Sequence, residues 1–370
     1  MNGEIINIGP AESPYMIQGF LLEMYRWGID IIKAIQVMEN PVLTAIMKFI
    51  TAFGTEAFYI PVVLLVLWWV NEKQGIRLGI LIVVSAWING LMKELLGQPR
   101  PYNLDPSVGR AFEPSYGAPS GHAQMSLCFW IFIAIWLSRA LKEKSAMLQA
   151  GEKERSDSRS ILIWSATVLL ILLIGFTRLY LGVHFPTDLF AGWILGGIIL
   201  VLWFIPGLIL EKRIVSMGGR IQNILAAIIA LVMNGLYPKD RSLPALFLGV
   251  CLGYTLMKSR FPFSPREEVN GKKPGIHILI LRCLAGFIGV AIIYLGLKLI
   301  FPGEGSLFSR IPAWGQDSPF YELGRFVRYG LIGIWASAGA PYLFQRLNLA
   351  HNRISRTEED NAGKSPDEKS

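Results

Sequence analysis

The chain has 370 residues, 52% of them hydrophobic and 12% aromatic, with a mean hydropathy of +0.44. That length could hold two or three soluble domains, but this composition belongs in a bilayer. The net charge of +8, from 35 basic and 27 acidic residues, is dispersed over short loops and not gathered on one face, which sets nucleic acid aside in favour of a positive-inside bias.

The first fourteen residues carry two glutamates, no Lys or Arg and no apolar core. No cleaved signal peptide is expected there, and insertion rests on the later spans. From Phe20 onward Glu23, Arg26, Asp30 and Lys33 recur every three or four positions, while Phe20, Leu21, Met24, Ile31, Ile32 and Ile35 fill the other face. This is the pattern of an amphipathic helix. Its four charges make it a poor spanning segment, so residues 1–52 are expected to hold interfacial helices.

Crossing about 30 Å of hydrocarbon takes roughly 17 to 25 apolar residues in a helix. Nine runs qualify, at about 53–70, 76–96, 120–141, 160–181, 188–210, 221–237, 243–257, 276–300 and 323–344, the seventh being short. The expected fold is therefore all-α, a polytopic transmembrane bundle of about nine spans preceded by the interfacial helix. Cys128, Cys251 and Cys283 lie within apolar runs, as small hydrophobes with no metal spacing or obvious disulfide pairing.

The loop 138–160 carries Arg139, Lys142, Lys144, Lys153, Arg155 and Arg159, and 258–275 carries Lys258, Arg260, Arg266, Lys272 and Lys273. Both are expected in the cytoplasm, with 71–76, 211–220 and the C-terminus. Loops 97–119 and 182–187 then share the opposite side. The Pro- and Gly-rich stretch 261–275 reads as a connector, and the polar tail 351–370 is expected to be disordered.

Ionisable groups beside hydrocarbon cost about 2.5 to 3.5 kcal/mol each on insertion scales, so each needs a reason. Three segments hold them. Lys93 precedes Arg100-Pro101 in LMKELLGQPRPYN; alone it reads as readily as a snorkelling lysine. Pro119-Ser120-Gly121-His122 stands before an apolar run, where free backbone amides at a helix start suit an anion, although ordinary capping explains it too. In TRLYLGVHFPTDLFAGW, Arg178 is followed by His184 and Asp188. If Pro186 opens a helix, Asp188 comes within reach of the imidazole, fixing its tautomer and leaving the other nitrogen free to attack. An interfacial His with a capping Asp is the plain alternative. The topology puts all three segments at one end of neighbouring spans, and together they suit a phosphoryl group.

These segments, in this order and spacing, resemble the three-part signature of the type 2 phosphatidic acid phosphatase superfamily, over about residues 53 to 210. That family also includes sphingosine-phosphate and prenyl-diphosphate phosphatases and vanadium haloperoxidases. The resemblance implies that His184 is the nucleophile, Asp188 its orienting partner and His122 the acid for the leaving group. It also implies that Lys93, Arg100, Ser120, Gly121 and Arg178 bind phosphate, with no metal and no cofactor. Thr177 departs from the Ser usual before the arginine, and its hydroxyl is expected to bond back to the Leu173 carbonyl.

The implied activity is dephosphorylation of a lipid phosphate or lipid diphosphate, as a metal-independent hydrolase with the lipid phosphate and membrane lipids as partners and no nucleic acid. Transfer of the phosphoryl group to another lipid is an alternative, and non-catalytic transport or binding of a phospholipid is another. A metal triad of His122, His184 and Asp188 is disfavoured by three cations in the same pocket. A haloperoxidase is disfavoured by the spans running through the whole chain. The expected domains are interfacial helices at 1–52, a catalytic core at 53–210, accessory spans at 211–350 and the tail at 351–370. The expected location is multi-pass in a bacterial cytoplasmic membrane, with the active site on the outer face.

Overall fold

The structure is a computed structural model. It describes residues 19–145, 150–269, 273–302, 306–307 and 318–351, with main chain alone at 150–156 and 319. The first fourteen residues and the expected disordered tail beyond His351 lie outside the described residues.

The expected amphipathic helix is α1 (Phe20–Gln36). It buries Tyr25, Gly28, Ile32 and Gln36 at helical spacing and leaves Phe20, Leu21 and Trp27 exposed. In α2 (Pro41–Ala52) the Asn40 side chain accepts from Leu43 N at 2.9 Å and Pro41 fills the first helical position, two features that nucleate a helix start. After a bend come α3 (Glu56–Leu65), with a π turn at Val66–Val70, and α4 (Glu72–Leu96). The short α5 (Pro101–Leu104) precedes α6 (Gly121–Ser145), α7 (Ala150–Tyr180) and α8 (Pro186–Leu202). Pro206 cannot continue regular helical bonding, and the chain passes through a π turn at Trp203–Gly207 into α9 (Leu208–Ser216). The remaining helices are α10 (Gly219–Leu236), α11 (Ser242–Arg260), α12 (Ile276–Ile300), α13 (Pro319–Ile334) and, after a π turn, α14 (Ala340–Arg346).

Among the described residues, seven helical stretches are long and apolar enough to cross a membrane: Glu72–Leu104, Gly121–Ser145, Asp157–Tyr180, Pro186–Ser216, Gly219–Leu236, Ser242–Arg260 and Ile276–Ile300. The pair Pro41–Ala52 and Glu56–Val70, bent by 44°, makes an eighth if it is one span. Where nine were expected, seven or eight stretches among the described residues meet this length and hydropathy. The first expected span qualifies only together with α2. The ninth is helical, but Arg325, Arg328 and a run of small residues leave it too polar. The loop expected at 138–160 is also shorter, because α6 continues to Ser145 and α7 has begun by Ala150.

The chain forms two compact units, Met1–Tyr59 with Ile88–Gly207, and Ile60–Trp87 with Leu208–Ser370. In the first, Tyr59 stacks on Phe129 with ring centroids 4.5 Å apart, and Phe58 on Trp130 at 5.7 Å. Gly192 lets α8 approach the start of α6, since a Cβ there would stand 2.6 Å from the Ser120 carbonyl oxygen. In the second, Trp68 donates to the Ala336 carbonyl at 2.9 Å, and Arg77 makes a two-pronged bond to Glu211 at 2.8 and 2.9 Å. The buried Arg282 donates to the carbonyls of Leu349 and Pro265, each at 2.8 Å, and lies over the Phe263 ring. A charge within an apolar helix is tolerated there because backbone oxygens answer it.

Candidate active site

Four helix ends in the first unit meet at one place. Lys93 occupies the last turn of α4, His122 the first turn of α6, Arg178 the last turn of α7 and Asp188 the first turn of α8. Arg100 stands just before α5, where its backbone N–H donates to Asn103 Oδ1 at 2.9 Å.

The turn between α7 and α8 carries His184. Gly182 adopts φ +64°, and a Cβ there would meet the Val108 carbonyl oxygen at 1.9 Å, so a residue without a side chain is required. Pro186 opens α8 with its missing N–H harmless at that position. Asp188, three residues after the cap, accepts from Phe185 N at 2.9 Å with Oδ2, and the same oxygen lies 3.3 Å from His184 Nδ1. This assigns the proton to Nδ1 and leaves Nε2 unprotonated, with its lone pair toward the Arg100 guanidinium. Burial first, then the positive charges of Arg100 and Lys93, hold the His184 imidazole well below its ordinary pKa. The ring stays neutral.

His184 Nε2 looks onto Arg100 Nη1 at 3.4 Å and onto Glu113 Oε2 at 3.9 Å. Glu113 bridges two arginines. Its Oε2 lies 2.8 Å from Arg100 Nη2, and its Oε1 accepts from Arg178 Nη2. Burial alone would push the Glu113 carboxyl up, but Arg178 and Arg100, aided by His122 and Lys93, outweigh it and hold the group below the usual carboxylate range. Arg100 is further fixed by the carbonyls of Ser115 at 2.7 Å, Val183 at 2.9 Å and Tyr116 at 3.1 Å. Lys93 Nζ donates to the carbonyls of Tyr116 and Gly117.

Ser120 is fully buried and its N–H donates to the Asp188 carbonyl at 3.0 Å. The amide expected to meet an anion is thereby engaged, which leaves the hydroxyl and the neighbouring Gly121. The Thr177 hydroxyl bonds the Ile174 carbonyl, at 2.6 Å, one residue short of the expected Leu173. A Thr hydroxyl on a helix can reach the carbonyl three or four residues back, and here it takes the one three back.

Every residue singled out from the sequence thus lies at this end of the first unit. Three others were not anticipated. Glu113 was legible in principle, because an empty pocket with three cations needs a counter-charge. The segment 97–119 has two carboxylates, and Asp105 is already taken by Lys33 at 2.7 Å. Asn89, one turn before Lys93, donates to the Pro119 carbonyl at 3.3 Å and to Gln124 Oε1 at 2.8 Å, bracing the turn before α6. Thr51 of α2 accepts from Arg178 Nη1 at 2.8 Å. Nothing local in the sequence marked these last two.

The PAP2 superfamily matches residues 74–206, which hold Lys93, Arg100, Glu113, Ser120, His122, Arg178, His184 and Asp188. A second family, described as the PAP2 superfamily phosphatase transmembrane extension, matches residues 242–352. The chain is 27% identical to an undecaprenyl-diphosphatase of Sulfolobus acidocaldarius, over 46% of this chain and 73% of that protein. It is 27% identical to phosphatidylglycerophosphatase B of Bacillus subtilis, over 47% of this chain and 78% of the relative. A probable sphingosine-1-phosphate phosphatase of Dictyostelium discoideum is 27% identical over 53% of this chain and 48% of that one. Among solved structures, a transmembrane PAP2 type phosphatidylglycerolphosphate phosphatase from Bacillus subtilis aligns with a TM-score of 0.42 at 23% identity, over 53% of this chain and 89% of that one. A PAP2 superfamily domain at 74–206 and a PAP2 transmembrane extension at 242–352, with seven described apolar helices of membrane-crossing length, mark a multi-pass membrane phosphatase built on a PAP2 domain.

Proposed function

We propose that the protein removes the terminal phosphate from a lipid phosphate or lipid diphosphate through a phosphohistidine on His184. The observation that carries this reading is the carboxylate of Glu113, held between Arg100 and Arg178 and 3.9 Å from the free nitrogen of His184. An anion already rests where a phosphoryl group would face the nucleophile, inside the pair of forks that would neutralise its oxygens.

In this mechanism His184 Nε2 attacks the terminal phosphorus, and its bond to the leaving oxygen breaks, that oxygen being the lipid's own in a monophosphate and the bridging one in a diphosphate. Asp188 holds the imidazole and stabilises the positive charge it acquires. His122 protonates the departing oxygen, then takes a proton from the water that hydrolyses the phosphohistidine. Arg100 and Arg178, with Lys93, the Ser120 hydroxyl and Gly121, hold the phosphate oxygens. Three cations would repel a divalent ion, so the reaction is metal-independent and should survive EDTA.

The lipid nature of the substrate is supported by the site's position at the ends of apolar helices and by relatives named for lipid substrates. On this reading residues 53–210 form the catalytic core, 211–350 the accessory spans, and α1 lies in the interface beside the site. Positive-inside counting puts the site on the outer face of a cytoplasmic membrane.

The test is phosphate release from a panel of lipid phosphates by purified protein in detergent, with trapping of an acid-labile phosphoenzyme. His184→Ala should abolish both turnover and phosphoenzyme, and His122→Ala should slow phosphoenzyme formation by about 10² to 10⁴. A His184→Ala protein of near-normal activity would overturn the mechanism. Loss of phosphate from the donor lipid without inorganic phosphate, and with a phosphorylated second lipid in its place, would make the enzyme a transferase.

A further inference from the structure

Arg178 stands between two partners of different kinds. Its Nη1 is bonded to the neutral hydroxyl of Thr51 at 2.8 Å, and its Nη2 to the charged Glu113, which also holds Arg100 at 2.8 Å. We propose that Glu113 is a resident anion that keeps the two arginines in place in the empty site and is displaced from them by the incoming phosphate, while Thr51 holds Arg178 throughout.

The geometry allows such an exchange without opening the loop. The Glu113 main chain is pinned on both sides by Tyr102, whose hydroxyl donates to the Glu113 carbonyl at 2.8 Å and accepts from its N–H at 3.2 Å. The side chain is 27% exposed, whereas those of Arg100 and Arg178 are 1% and 3% exposed. Rotation about the Glu113 side-chain bonds therefore moves the carboxylate toward water while the buried arginines stay where they are. They are held by the Ser115, Val183 and Tyr116 carbonyls in one case and by Thr51 in the other.

Displacement must occur if phosphate is to reach the nucleophile. Glu113 Oε2 is 3.9 Å from His184 Nε2, so carboxylate and phosphoryl oxygens claim the same volume. Two anions between the same two guanidiniums would also repel each other. A ligand must offer the arginines more than a single carboxylate does. A terminal phosphate, with two negative charges and three equatorial oxygens, meets that condition. Glu113 thereby sets a charge threshold for entry and weakens the hold on the inorganic phosphate formed at the end of each turnover.

This inference rests on the phosphate-site reading given above. The experiment is direct calorimetric titration of inorganic phosphate into the purified protein in detergent, comparing wild type with Glu113→Gln and Thr51→Val. Thermal unfolding serves as a check that each variant is folded, and Glu113→Ala is a second probe if the glutamine variant fails to fold. Removing a competing charge at constant shape should lower the Kd for phosphate about tenfold or more in Glu113→Gln. Removing the holder of Arg178 should raise it severalfold in Thr51→Val. Opposite signs from two neighbours of one guanidinium are not what loss of structure would give. A Kd in Glu113→Gln equal to or weaker than wild type, with phosphate binding intact in the wild type, would overturn the displaced-anion role alone. If the wild type binds no phosphate, the reading of the pocket itself falls.

Discussion

The Arg178 guanidinium serves two directions at once. Nη1 answers Thr51, Nη2 answers Glu113, and Nε is buried without a hydrogen-bond partner among the described residues. A lysine offers one point charge in place of a planar fork and cannot serve two directions. Arg178→Lys should therefore lower kcat/KM by about 10- to 100-fold, the scale of one lost charge-assisted bond at roughly 1.5 to 3 kcal/mol. Its neighbour Thr177 is the contrasting case. That hydroxyl faces its own helix, bonded to the Ile174 carbonyl at 2.6 Å. Thr177→Val, nearly the same shape, should cost less than about tenfold, the scale of a neutral bond at roughly 0.5 to 1.5 kcal/mol. Measuring kcat/KM for both variants on one lipid phosphate decides the matter: equal damage would move the Thr177 hydroxyl into the catalytic shell. The chemistry-bearing residues were legible because spacing and order carry them, as in Arg178-x5-His184-x3-Asp188. Glu113 was harder to see because its significance lies in a missing counter-charge and not in a motif.

At the level of elements, the loops that hold the site are tied together by contacts distant in sequence. Gln36 at the end of α1 donates to the Val108 and Tyr180 carbonyls, each at 2.8 Å, and Arg110 N donates to the Leu181 carbonyl at 2.9 Å. Tyr25 packs on Phe185 at 4.7 Å, next to the nucleophile, and its hydroxyl donates to Gln98. An amphipathic pattern announced α1, but periodicity cannot say which turn a helix will brace. Gly54, beyond the end of α2, is another case: a Cβ there would meet His122 Cδ2 at 2.9 Å. The point of closest approach is Gly182, in a left-handed conformation against the Val108 carbonyl. A side chain at that φ costs about 1 to 2 kcal/mol before any clash is counted. Gly182→Ala should therefore lower the unfolding temperature by several degrees. It should also reduce kcat/KM by more than about tenfold, because the turn forced away from Val108 carries His184 two residues further on. Wild-type values for both would show that the turn and the Val108 loop can part without disturbing the nucleophile.

For the whole molecule, hydropathy identified the membrane character and overcounted the spans for a physical reason. It registers apolar runs but not what a helix does with them. The run at 53–70 belongs to a bent pair, and the run at 323–344 is helical yet too rich in small and polar residues to qualify. Sidedness depends on the spans between two points, and here the relevant interval is short. The 25 residues of α6 (Gly121–Ser145) extend roughly 37 Å at 1.5 Å per residue, enough to traverse about 30 Å of hydrocarbon. The site stands at the Gly121 end, and Lys142 and Lys144 stand in the last turn at the other. Those lysines, with Lys153, Arg155 and Arg159 in the N-terminal part of α7, favour the cytoplasm, so the pocket is expected on the opposite side. Phe112, 78% exposed beside Glu113, and the exposed Lys144 are suitable reporters. In intact cells a membrane-impermeant thiol reagent should label Phe112→Cys and spare Lys144→Cys, and in inverted vesicles the pattern should reverse. Labelling of both variants from one side would mean that α6 does not cross, and with it the four helix ends at the site would lose their common face.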